Sequence, residues 1–165
     1  VSAGRALALL CLCACASSAP EVEVAAPRKA APKDPDALVL EVVVDEGSSE
    51  AERSRALLLE RVERSSKLSS SPADGTRRLK VRLSIAEPSV DSRGLSRKVR
   101  LEGSLHGGSC TILTLSPEAT KPGGKADRAA DRDEVLVAGI DALIQKLEAA
   151  APKISDDATC FSTGK

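Results

Sequence analysis

Thr76–Ala86 (TRRLKVRLSIA) alternates with period two: Leu79, Val81, Leu83 and Ile85 fall on one side, Arg78, Lys80, Arg82 and Ser84 on the other. Successive side chains of a strand point to opposite faces, so this pattern describes a strand with one face in a core and one in water, as in an antiparallel sheet. Upstream, Ala37–Glu46 repeats the period with Leu38, Leu40, Val42 and Val44, and Val39 and Val43 add apolar weight to the second face. Gly47 and Ser48 break it. Ser49 with Glu52 has the spacing of a capping box that opens a helix. That helix should turn Ala51, Leu58, Val62 and finally Leu68 inward and Arg53, Glu60, Arg61, Glu63 and Arg64 toward water, ending at Ser69–Pro72.

Downstream, the segment from Glu87 to Gly94 reads as a connection. A third strand follows, with Val99, Leu101 and Leu105 inward and Lys98, Arg100 and Glu102 outward. Gly103 interrupts the inward row, which marks a bulge or a close backbone approach. His106–Ser109 reads as a tight turn into a fourth strand, Cys110–Leu115, and Pro117–Lys125 as a loop. The last helix begins between Ala126 and Asp133 and runs to about Ala150, with an apolar stripe of Leu136, Ile140, Leu143, Ile144 and Leu147. Gly139 inside it costs about 1 kcal/mol relative to alanine and permits close packing on a strand. Pro152 stops the helix. The order βαβββα predicts an α+β two-layer sandwich: a mainly antiparallel four-stranded sheet with two helices, built as one domain over residues 37–151.

The two ends have a different composition. Arg5 precedes an apolar run, Ala6–Ala14, that is too short for a membrane span, which needs about 20 residues. A positive end, an apolar run and small residues are the parts of an export signal. Ala16–Asp36 carries Pro20, Pro27, Pro32 and Pro35 among alanine and charge, which reads as a flexible linker. Residues 152–165 form a polar tail.

Leu12-Cys13-Ala14-Cys15 resembles the bacterial lipobox, with an aliphatic residue three before the modified cysteine and a small one directly before it. Cys13 departs from the usual Ala, Ser or Thr at its position. The resemblance implies that residues 1–14 are a signal peptide, that Cys15 is the lipid attachment site, and that residues 15–36 tether a body to a membrane. With Ala16 after Cys15, it implies the periplasmic face of the outer membrane of a diderm bacterium. Cleavage after Ala16 with secretion, and an unprocessed alanine-rich N-terminus, are the alternatives. Removing the signal and committing Cys15 leaves Cys110 and Cys160 as a pair, read as one disulfide in an oxidising compartment and, alternatively, as two buried thiols.

In element order, the body resembles the small periplasmic modules related to the CsgG, LpoB and TolB N-terminal domains, over Leu38–Leu147 and at the level of topology only. Such modules act in assemblies and on partner proteins, and no residue role is carried over.

Lys+Arg and Asp+Glu balance at 24 each, and the single aromatic is Phe161, so a stacking platform for bases or sugars is missing. Nucleic acid is therefore not the expected partner. His106, the one histidine, lies among glycines as a turn residue, which leaves a serine or cysteine nucleophile without a histidine base. Asp127, Asp131, Asp133 and Glu134 lack EF-hand spacing and suit the start of a helix. No cofactor or metal is expected. The remaining surface feature is a basic face: Arg78, Lys80 and Arg82 beside Lys98 and Arg100, interrupted by Glu41 and Glu102. The sequence thus describes a non-enzymatic envelope lipoprotein whose domain binds or supports another envelope protein. An anionic glycan or lipid headgroup on the basic face is the alternative, and ordinary solvation of a sheet face is the plainer reading.

Overall fold

The computed structural model describes residues 31–44, 49–75, 77–105 and 110–155. The signal segment, Cys15, most of the expected linker, His106 and Cys160 lie outside the described residues. The elements are β1 (Leu38–Val44), α1 (Ser49–Arg64), β2 (Leu68–Ser69), β3 (Arg78–Ile85), β4 (Ser89–Asp91), β5 (Gly94–Leu105), β6 (Cys110–Leu115), β7 (Glu118–Lys121) and α2 (Ala129–Ala150), closed by a short 3-10 turn, Ala151–Lys153.

The expected two helices and α+β class are present, but the four-stranded, mainly antiparallel sheet is corrected to a mixed sheet of seven strands. β1 runs parallel to both β2 and β3, so β1, α1 and β3 form a crossover unit rather than neighbouring hairpin strands. β5 runs antiparallel to β3, and the order across the sheet is β2-β1-β3-β5-β6. The twelve-residue β5 extends beyond its two neighbours, and its first half is flanked by β4 and β7. The segments read as the 87–94 connection and the 117–125 loop therefore each contain a short strand.

The core lies between one sheet face and the helices. Leu38, Leu40 and Val42 of β1, Leu79, Val81 and Leu83 of β3, and Val99, Leu101 and Leu105 of β5 are all buried, and they meet Leu58 and Val62 of α1. The expected stripe of α2, Leu136, Ile140, Leu143, Ile144 and Leu147, is buried throughout. Leu68 is buried too, but as a strand residue rather than as the end of α1. The bulky aliphatic side chains compensate for the missing aromatics. Fully burying one contributes about 1.5–3 kcal/mol.

Gly139 sets the spacing between α2 and the sheet, and Gly103 allows close packing within the sheet. A Cβ at Gly139 would lie 2.7 Å from Val99 Cγ2, so α2 rests directly on β5. At Gly103 a Cβ would lie 2.8 Å from Leu79 Cδ2, and the β5–β6 register shifts between Gly103 and Ser104. The interruption read from the sequence is both a close approach and an irregularity in the ladder.

Residues 31–36, the end of the expected linker, form a strap docked on the C-terminal end of α1. The Lys33 Nζ donates to the carbonyl oxygens of Val62 (2.9 Å), Glu63 (3.1 Å), Ser65 (2.9 Å) and Leu68 (3.0 Å). The last carbonyls of a helix lack partners within it and carry its negative dipole end, so an ammonium there satisfies both needs. The Ala31 amide donates to Glu63 O at 3.3 Å and the Asp34 amide to Ser66 O at 2.8 Å. The end of α2 is held in a similar way: the Arg77 guanidinium donates to Ala151 O and Ile154 O, both at 2.9 Å, and to Asp36 O.

Candidate functional site

With both helices packed on one face, neither helix covers the opposite face of the sheet. That face presents the even-numbered positions of β3 and β5, and the five expected cations, Arg78, Lys80, Arg82, Lys98 and Arg100, are all exposed there. Adjacent residues on one face of a strand lie about 6.6–6.8 Å apart, so Arg78 to Arg82 spans about 13 Å.

The register separates these cations into two groups. On β3, Lys80 stands between Glu41 of β1 and Ser104 of β5, and Arg82 between Val43 and Glu102. On β5, Arg100 stands opposite Ser84, and Lys98 opposite Glu118 of β7. No cation of one strand lies directly opposite a cation of the other, an arrangement that avoids the cost of like charges at facing positions. Arg100 reaches the Glu102 carboxylate at 2.5 Å, which engages that acid locally. Acidic residues thus border cations of both strands, Glu41 beside Lys80, Glu102 beside Arg82 and Glu118 opposite Lys98, and the row Arg78, Lys80 and Arg82 lies on the middle strand, β3. Sequence reading joined the two groups because periodicity reports the face, whereas register is what separates them. Val43, at 38% exposure, places an apolar surface beside Arg82.

The acidic cluster at the start of α2 is occupied by the protein itself. Asp131, only 3% exposed, accepts from the Lys125 amide (2.9 Å) and Arg128 Nε (2.7 Å) and lies 3.0 Å from Lys121 Nζ. These contacts hold its carboxyl well below the usual aspartate range, the Lys125 amide contributing most, then Arg128 and Lys121. Asp133 forms a two-point pair with Arg53 of α1 (2.8 and 2.9 Å), and Glu134 pairs with Lys121. One helical stretch onward, Arg61 donates to Asp141 at 2.6 Å, a bond that raises the guanidinium pKa. Among the described residues no group of three or more metal-ligating side chains converges.

Arg97 is the residue whose role the sequence concealed. Its inward position between Leu95 and Val99 leaves it 2% exposed, with Nε donating to Ala86 O at 3.0 Å and a terminal nitrogen to Glu50 Oε1 at 2.7 Å. The Arg97 hydrogen bond lowers the Glu50 pKa against a smaller opposing effect of burial. The pair ties the first turn of α1 to β5. A parity count from Val99 and Leu101 does place residue 97 inward, but a charged residue there is outside ordinary strand patterning.

Cys110 is buried at the first position of β6, and Cys160 lies outside the described residues. Among the described residues no helix is long and apolar enough to cross a membrane.

No family model matches the sequence. No curated protein matches it either. Solved structures to which the chain is similar at low identity include the following three. Protein XCC0632 from Xanthomonas campestris, of the DUF330 family model, is 11% identical with a TM-score of 0.48, covering 74% of this chain and 92% of that one. The hypothetical protein CT253 from Chlamydia trachomatis is 14% identical with a TM-score of 0.48, covering 72% and 99%. A neuraminyllactose-binding hemagglutinin homolog from Helicobacter pylori is 12% identical with a TM-score of 0.35, covering 79% and 91%.

Proposed function

We propose that this chain is a non-enzymatic adaptor of a bacterial envelope, anchored through Cys15, whose open sheet face docks an acidic surface of another envelope protein. The observation that carries the reading is the row Arg78, Lys80 and Arg82 on the middle strand of a face that neither helix covers. A cationic row interrupted at its borders by Glu41 and Glu102, with the exposed Val43 beside it, offers a charge pattern for orientation and one apolar side chain for contact. Charge of this kind steers encounter and selects partners more than it supplies affinity. The tether reading follows from the lipobox-like Leu12–Cys15, and the Cys110–Cys160 bridge belongs to the same proposal. Closing a loop of about 50 residues would stabilise the fold by about 4 kcal/mol on the chain-entropy model.

The test is recovery of partners from detergent-extracted envelope with wild type and with R78E/K80E/R82E. One protein recovered stoichiometrically, retained at moderate salt and lost in the triple variant, supports the adaptor. Salt-labile binding to anionic liposomes or glycans with no protein recovered would replace it with headgroup or glycan recognition. Intact mass, with and without reduction, reads the Cys15 acyl groups and the Cys110–Cys160 bridge together.

A further inference from the structure

We infer that the strap of residues 31–36 is a releasable reserve of tether, latched by Lys33, that gives the domain two reaches. The inference rests on the reading of the upstream chain as a tether. The strap is held mainly by hydrogen bonds. Pro32, Asp34, Pro35 and Asp36 are exposed, Ala31 is only partly covered, and full burial of apolar side chains starts at Ala37 and Leu38, each at 1% or less. Segments with few buried apolar contacts open at far lower free energy than the core they rest on.

The latch is one side chain. Lys33 is 12% exposed, and its three N–H groups are shared among four carbonyl oxygens, with the Glu63 carboxylate 3.9 Å away. On release, the ammonium and the carbonyls of Val62, Glu63, Ser65 and Leu68 can all exchange into water, so no buried charge is stranded. The amide of Leu38 remains bonded to Lys67 O at 2.9 Å, and the β1–β3 ladder begins at Val39, which marks where opening stops. Arg77, whose hold on Asp36 O is also the last point of the strap, keeps its bonds to Ala151 and Ile154. Six released residues span at most about 20 Å of extended chain, at about 3.3 Å each, so the reach gained is that length less the span they cover when docked. Docked, the strap keeps the body near its anchor; released, it lets the open sheet face meet a partner farther away.

Hydrogen exchange on the full chain in detergent micelles tests this residue by residue. The Ala31 and Asp34 amides should be protected, yet exchange about 100-fold or more faster than amides of the β1–β3 ladder. K33Q should accelerate those two amides by about ten-fold or more while leaving the ladder within about two-fold, and K33R should fall between. The inference is overturned if strap and ladder amides exchange at one rate in the wild type, if the strap amides are unprotected, or if K33Q accelerates both sets alike. The wild-type rates decide the matter even if K33Q does not fold. Strap opening is read here without reference to acylation, so an unmodified Cys15 would defeat the tether reading and leave the latch measurement intact.

Discussion

Arg97 and Arg100 are three residues apart on the same strand and live in opposite environments. Arg97 points to the helices, 2% exposed, and spends its guanidinium on Glu50 and the Ala86 carbonyl. Arg100 points to the open face and reaches Glu102 in water. The same side chain is thus a structural fixture on one side of β5 and an ordinary surface charge on the other. Strand parity decides which, and residue type does not.

Substitutions on the two faces can break that contrast. The largest expected effect is on the covered side: L101A, at a fully buried position, should lower stability by about 3 kcal/mol in chemical denaturation. E50Q comes next, at about 2 kcal/mol, because it deprives a buried guanidinium of its anion; the value is below that of a fully buried pair because the Glu50 side chain is 43% exposed. The double variant E50L/R97M should recover part of that loss, since apolar replacement of both partners can be neutral. An E50Q cost no greater than that of E102Q would dissolve the distinction between the faces.

D131N should lower the melting temperature by several degrees at neutral pH, and here the sign follows from the carboxyl being held low in the folded protein. Its contribution is fully present above the unfolded aspartate value of about 3.9 and is lost as pH falls toward the lower folded value. The gap between D131N and wild type should therefore be constant near neutrality and close only below about pH 4. A gap that closes near pH 6 would assign the effect to another group. Smallest of all, R78E, K80E and R82E should each change stability by no more than about 0.5 kcal/mol, while together abolishing partner recovery. A large loss of stability would make the row structural.

The strand at Arg78–Ile85 was legible inside the longer Thr76–Ala86 reading, as were the start of α1 at Ser49 and the buried stripe of α2, because in each the apolar period matches the element that buries it. The parallel placement of β1 beside β3 was not, since an alternating strand reads the same whichever way its neighbour runs. β4 and β7 were missed because Ser89–Asp91 and Glu118–Lys121 are short and polar, and each gains its pairing from the first half of β5. The strap was concealed by its composition: prolines and charges describe a linker, and only the carbonyl oxygens at the end of α1 explain Lys33. The basic face was visible as a parity pattern, while the acids that stand opposite its cations, Glu41, Glu102 and Glu118, required the register.

The two edges of β5 share a discontinuity. β3 gives way to β4 between Ile85 and Ser89, opposite Arg97–Lys98 of β5, and β6 to β7 between Leu115 and Glu118, opposite Val99–Arg100, so the two flanking ladders are interrupted at adjacent positions. Single backbone bonds, Ala86 N to Lys98 O and Val99 N to Pro117 O, bridge the gaps. Mechanically this is a crease that β5 alone crosses as an unbroken strand. Bending of one half of the sheet against the other would concentrate there, on the same few residues where Arg97 fastens the first turn of α1.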